Sequence, residues 1–146
     1  MKRLHISINV TDLDKSIVFY SKLFGLPPAL QKEVYAKWLV GEPCVNFVIE
    51  RATTSGLTHA GIETDSAEEL TQLYDRFKAV GPYEHEGMTN CCYHESEKSW
   101  TADPDGLAWE AFQSFSQTPA RGDGKSPQLQ SDKAGVDAQT DAKCCS

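Results

Sequence analysis

Nothing in the 146-residue chain approaches the roughly 20-residue apolar run that crosses a bilayer. A cluster of Lys and Arg is missing as well. Fourteen basic side chains stand against 21 acidic ones, a formal net charge of −7. Nucleic-acid binding rests on basic groups that neutralise phosphates, so neither nucleic acid nor membrane is an expected partner. The opening "MKRLHISINV" passes directly from two basic residues into strand-like alternation. No signal peptide is read there, and the expected location is cytoplasmic. Cysteines number only five, and in a reducing compartment they are expected as thiols rather than as a disulfide framework. Aromatic residues are absent from 116–146, which is rich in Ser, Gln, Asp, Gly, Ala and Lys. Such a stretch cannot bury enough apolar surface to offset its ordering entropy. A disordered tail is expected over 116–146, ending in the vicinal pair Cys144 and Cys145, behind one domain over 1–115.

What the domain does contain is a repeat. In "LHISINV" (4–10), Leu4, Ile6, Ile8 and Val10 alternate with His5, Ser7 and Asn9, the pattern of a half-buried strand. "DLDKSIVFYSKLFG" (12–25) predicts a helix with Ile17, Tyr20 and Phe24 on one face and Gly25 at its end. At an offset of 54 residues the pattern returns. "THAGIET" (58–64) is strand-like, and "SAEELTQLYDRFKAVG" (66–81) carries Leu70, Leu73 and Phe77 as a helical stripe. His5 matches His59, Tyr20 matches Tyr74, and Lys22 matches Arg76.

Strand-like pieces follow each helix: "ALQKE", "YAKWLVG" and "CVNFVIE", then "YEHEG", "KSWTAD" and "LAWEAF". Between the last two stands "DPDG" (103–106), a strong turn signal, because Pro presets φ, Asp bonds local backbone and Gly accepts a positive φ. The expected fold is α+β: two βαβββ modules, over about 1–52 and 56–115.

Two such modules, a His early in each first strand and a "DPDG" hairpin followed by Glu110 resemble the vicinal-oxygen-chelate superfamily. That superfamily includes glyoxalase I, extradiol dioxygenases, and fosfomycin and bleomycin resistance proteins. The resemblance covers about residues 1–115. It implies an open, cupped mixed sheet around a metal, with His5, His59 and Glu110 at the ligand positions. The residues support these three separately. Each shares its strand face with small neighbours, and a carboxylate inside "LAWEAF" is costly unless paired or metal-bound. "CVNFVIE" offers no fourth ligand in its middle. Two His and one carboxylate with open positions suit non-haem Fe(II) and O₂, although the same ligands take Zn²⁺ or Ni²⁺.

"TNCCYH" (89–94) poses a separate question. Neighbouring residues on a regular strand point to opposite faces, so joint action by Cys91 and Cys92 requires a turn or bulge. The polar flanks favour a loop, with Gly87 as a flexible point and the loop expected to move over bound substrate. Polar flanks argue against two core residues, and ring strain argues against a vicinal disulfide. A soft-metal site with His94 and a clamp for trivalent arsenic remain equally good on chemistry alone. Cys44, at the start of a strand, is expected in the core.

The core, the three ligand positions and an internal "NCCY" together resemble the organoarsenical carbon–arsenic lyases, with the cadmium-induced proteins of actinobacteria also similar. The lyase resemblance implies Fe(II) and O₂ at His5, His59 and Glu110, and a small trivalent organoarsenical held by Cys91 and Cys92. Tyr93, His94 and Trp100 are weaker candidates for lining the pocket. Superfamily members pair modules within or between chains, which allows a homodimer. The alternatives are a metalloid- or cadmium-sequestering protein and a glyoxalase-type lyase.

Overall fold

A computed structural model describes residues 1–122. The first module runs β1 (Arg3–Val10), α1 (Leu13–Phe24), β2 (Leu30–Lys32), β3 (Tyr35–Val40) and β4 (Val45–Arg51). The second repeats it as β5 (Gly56–Thr64), α2 (Ala67–Val80), β6 (Tyr83–Cys91), β7 (His94–Ala102) and β8 (Ala108–Gln117). All eight strands join one mixed sheet in the order β2-β3-β4-β1-β5-β8-β7-β6. The first strands of the modules, β1 and β5, pair antiparallel at the centre, with Ser7 opposite His59. Outside them, β1 pairs with β4 and β5 with β8, both parallel.

Each helix starts on a side-chain cap. Asp12 accepts from the Lys15 amide at 3.0 Å, and Ser66 accepts from the Glu69 amide at 3.2 Å. The apolar stripes read from the sequence then pack onto one face of the sheet. Ile17, Tyr20 and Phe24 of α1 meet Trp38, Phe47 and Ile49. Leu70, Leu73, Tyr74 and Phe77 of α2 meet Ala111, with Ile62, Tyr83 and Trp109 around them. Strand alternation sends the intervening residues to the opposite face. That face is polar yet covered: His5, Ser7, Lys37, Asn46, Ser96, Lys98 and Glu110 are all buried. The cover comes from the sheet's curl. Tyr35 and Tyr93 meet with ring centroids 5.4 Å apart, and Lys37 Nζ reaches His94 Nε2 at 2.8 Å, joining β3 to the β6–β7 hairpin across the cup.

Three expectations are corrected here. The region around the cysteines is a nine-residue-per-strand hairpin, not an irregular loop. Residues 116–122 of the expected disordered tail are ordered. Strand β8 continues to Gln117, Thr118 N donates to Tyr93 O at 2.8 Å, and Arg121 pairs with Glu50. Backbone pairing thus orders residues 116–122 without aromatic side chains. The rest of that expected tail, with Cys144 and Cys145, lies outside the described residues. Cys44 is half-buried, not core, and its thiol donates to Gly41 O at 3.1 Å. Among the described residues no helix is long and apolar enough to cross a membrane.

Candidate active site

His5, His59 and Glu110 meet at the centre of the cup. Their ligating atoms all lie within 4.8 Å of one another. His5 Nε2 is 3.1 Å from His59 Nε2, and Glu110 Oε2 is 3.7 Å from the first and 3.4 Å from the second. Gly61 permits this convergence. It stands opposite Glu110 in the β5–β8 pair, and a Cβ there would lie 2.6 Å from the Glu110 carbonyl oxygen.

The second nitrogen of each imidazole fixes its tautomer. His5 Nδ1 lies 3.1 Å from Asn46 O, a pure acceptor, so Nδ1 carries the proton. Thr58 Oγ1 donates to Ser7 O at 2.9 Å, which leaves its lone pairs for His59 Nδ1–H at 3.2 Å. Both Nε2 lone pairs therefore point at each other and at Glu110. Burial presses His5 down to about 4, with His59 and Lys98 adding to the effect against Glu110 and Asn46. Two acceptor nitrogens and a carboxylate facing one point form a set that could hold a cation between them. A divalent metal fits this donor set, with the hydrogen-bonded outer partners that metal-binding histidines ordinarily have.

Lys98, only 5% exposed, is the residue the sequence reading passed over. Its Nζ lies 2.5 Å from Glu110 Oε1, leaving Oε2 for the histidine pair. Burial alone would discharge both groups. Instead the Lys98 ammonium holds Glu110 far below the usual carboxylate range. Glu110 and Cys91 in turn hold Lys98 above the usual amine range. Both remain charged.

The thiols reach the same cup through two backbone irregularities. The β6–β7 register shifts between His85 and Gly87, leaving Glu86 as the extra residue of a bulge, with Gly87 at φ 74°. One extra residue flips every side chain beyond it. Cys91 rather than Asn90 thereby faces the cup, and Glu86 is aimed inward, where it accepts from Trp100 Nε1 at 2.7 Å. Next, the chain reverses in a two-residue turn whose central residues, Cys92 and Tyr93, both have positive φ, 55° and 67°. Such a turn ordinarily takes Asn-Gly, and side chains with a Cβ sit there at a cost of about 1–3 kcal/mol each. The turn brings the sulfurs to 3.1 Å. Hydrogen bonding from Cys92 lowers the Cys91 thiol against its burial, and Lys98 helps. The same hydrogen bond, with burial, drives Cys92 up. Of the pair, Cys91 is the easier to ionise, with Cys92 held as the thiol.

A single cavity of about 470 Å³ is lined by the triad, Lys98, both thiols, His94 and Trp100. Burial and the Lys37 ammonium lower His94, which accepts from Lys37 and donates from Nδ1 to Cys92 O at 3.2 Å. Trp100 stands edge-on to His59 at 5.3 Å. Tyr93 is not among the lining residues; it packs on Tyr35, with Lys32 Nζ 5.5 Å from its ring centre.

A family model described as the Glyoxalase/Bleomycin resistance protein/Dioxygenase superfamily matches residues 2–111. The chain belongs to that superfamily. Within it, a "Trivalent organoarsenical cleaving enzyme" of Bacillus sp. (strain MD1) is 41% identical over 117 residues, 77% of this chain and 73% of the relative. The "Cadmium-induced protein CadI" of Mycobacterium tuberculosis is 33% identical over 127 residues, 85% of this chain and 84% of the relative. Among solved structures, the Mn(II)-bound glyoxalase of Novosphingobium aromaticivorans shares the fold with a TM-score of 0.59 at 19% identity, covering 86% of this chain and 44% of that one. The superfamily's internal repeat also locates the missing fourth carboxylate. Glu110 pairs with Gly61, whose counterpart Ser7 pairs with Val48. Where the second module has its carboxylate, the first has a buried valine.

Proposed function

We propose that the protein cleaves the carbon–arsenic bond of trivalent organoarsenicals, using Fe(II) on His5, His59 and Glu110 and O₂ as co-substrate. The observation that carries this reading is the opening of a buried His/His/carboxylate triad and a vicinal thiol pair onto one cavity. A thiol pair alone would suit sequestration, and a triad alone would suit many superfamily reactions.

Cys91 and Cys92 bind the arsenic by displacing its two hydroxides. The organic group is thereby confined to the space between the thiols and the triad, which makes the encounter effectively unimolecular. Fe(II) bound at the triad supplies the activation of O₂ that the otherwise inert carbon–arsenic bond requires. Lys98 keeps Glu110 ionised and oriented, with one oxygen turned to the histidines. The curled sheet buries the triad and Lys98 beneath it. For a methyl arsenical one O₂ balances the products: inorganic arsenite leaves, and the organic part departs as formaldehyde. This chemistry would serve detoxification in the cytoplasm.

The test is iron reconstitution without oxygen, addition of trivalent methylarsenical, and then air, with arsenic speciation. Arsenite should appear only with both iron and air present. Arsenic retained on the protein with its methyl group intact would support sequestration instead, and turnover without any oxidant would exclude the dioxygenase chemistry.

A further inference from the structure

Tyr35 is 2% exposed and lines the cavity from β3. Its ring packs on Tyr93, beside Cys92 in the thiol turn. Among the described residues its hydroxyl has no hydrogen-bond partner. The oxygen is not among the fully buried unpartnered polar atoms, so it opens on the cup. The repeat explains where it points. Tyr35 pairs with Glu50 and Lys98 pairs with Phe112; Glu50 and Phe112 each lie two residues past the matched positions Val48 and Glu110. Tyr35 is thus the first module's counterpart of Lys98, aimed into the same cup. The thiols that line the same cavity must be deprotonated before they can bind arsenic.

We propose that the Tyr35 hydroxyl relays the proton during capture of the arsenical by Cys91 and Cys92, donating to the departing arsenic hydroxide and taking the thiol proton in exchange. This rests on the function proposed above. The step balances without oxidant or reductant: an S–H and an As–OH bond break, and S–As and a water O–H form. Burial raises the phenol well above its ordinary range, and the Cys92 and Cys91 charges push the same way, so the hydroxyl enters the step as a donor. A group of this kind accelerates both directions equally. It changes rates without changing affinity.

The full iron-loaded chain is mixed without oxygen with trivalent phenylarsenical, and uptake is followed by the ultraviolet absorbance of the arsenic–sulfur bonds. Tyr35→Phe should slow association and release by the same factor, about 10²-fold, leaving Kd unchanged. In the unaltered protein, association should also be slower in D₂O, and this needs no folded variant. Full-speed capture by Tyr35→Phe, a change in Kd from release alone, or equal rates in H₂O and D₂O would each overturn the relay. An unaltered protein that takes up no arsenical at all would overturn the functional reading beneath it.

Discussion

The two modules share every element and differ in what they turn toward the cup. Each contributes one histidine from its first strand, His5 and His59. Only the second contributes a carboxylate to the triad, Glu110, with Val48 at the matching place in the first. Only the second puts a charged amine against that carboxylate, while the first has Tyr35 at the equivalent position. The hairpins differ most. Strands β2 and β3 pair over three residues, whereas β6 and β7 run side by side for nearly their full length and end in the thiol turn. Duplication accounts for the scaffold and the paired histidines. Divergence in the second module accounts for the anion that completes the triad and for the sulfur. A candidate metal site open on the first module's side is the result.

The largest effect should come from removing the asymmetry in charge. Glu110→Ala should abolish metal binding and turnover. It also strands buried Lys98, costing about 3–5 kcal/mol of stability, measurable by urea unfolding. Arsenical uptake by the thiols should survive. Cys91→Ser or Cys92→Ser should end turnover as completely but leave bound iron unchanged by metal analysis, since the thiols lie outside the triad. Full activity in both would remove the thiols from the account.

Val48→Glu makes the modules more alike. It buries a carboxylate whose cross-strand cation, Lys37, is already bonded to His94, so the metal-free protein should lose stability. Metal should then raise its Tm by more than it raises that of the unaltered protein. An equal rise in both would mean that Val48 does not face the metal.

The pH dependence follows from His5. Its folded-state value of about 4 lies below the ordinary 6.5, so the unfolded chain binds more protons between these limits. Metal-free stability should be full above pH 6.5 and fall as pH drops toward 4, by on the order of 3 kcal/mol. His5→Asn should flatten that decline. The smallest effects probe where the modules remain equivalent. Asp12→Ala and Ser66→Ala should each cost about 1 kcal/mol in thermal unfolding.

Much of this was legible in the sequence, for definite reasons. Helix stripes, strand alternation and the "DPDG" turn give the module order because one sheet face is apolar. The 54-residue offset pairs His5 with His59, and an acid within "LAWEAF" marks itself. The β6–β7 hairpin was hidden because "EHEGMTNCCYHESEK" faces a polar cavity and carries no apolar alternation. Its bulge at Gly87 and strained turn at Cys92 and Tyr93 break the strand period where the function needs both sulfurs together. Lys98 had one overlooked signal. It stands two residues from Trp100 at the start of a fully buried stretch of β7, a place where a lysine requires a partner anion. Tyr35 had none, since a tyrosine in "YAKWLVG" is what any core strand contains.

The central claim is that triad and thiols serve one reaction. Single-turnover arsenic speciation tests it most directly, with iron-loaded protein given one equivalent of trivalent methylarsenical and then air. The account predicts arsenite with loss of the methyl group, and none when Glu110→Ala or Cys92→Ser replaces the unaltered chain. Methylarsenical recovered intact from protein holding both iron and arsenic would contradict it.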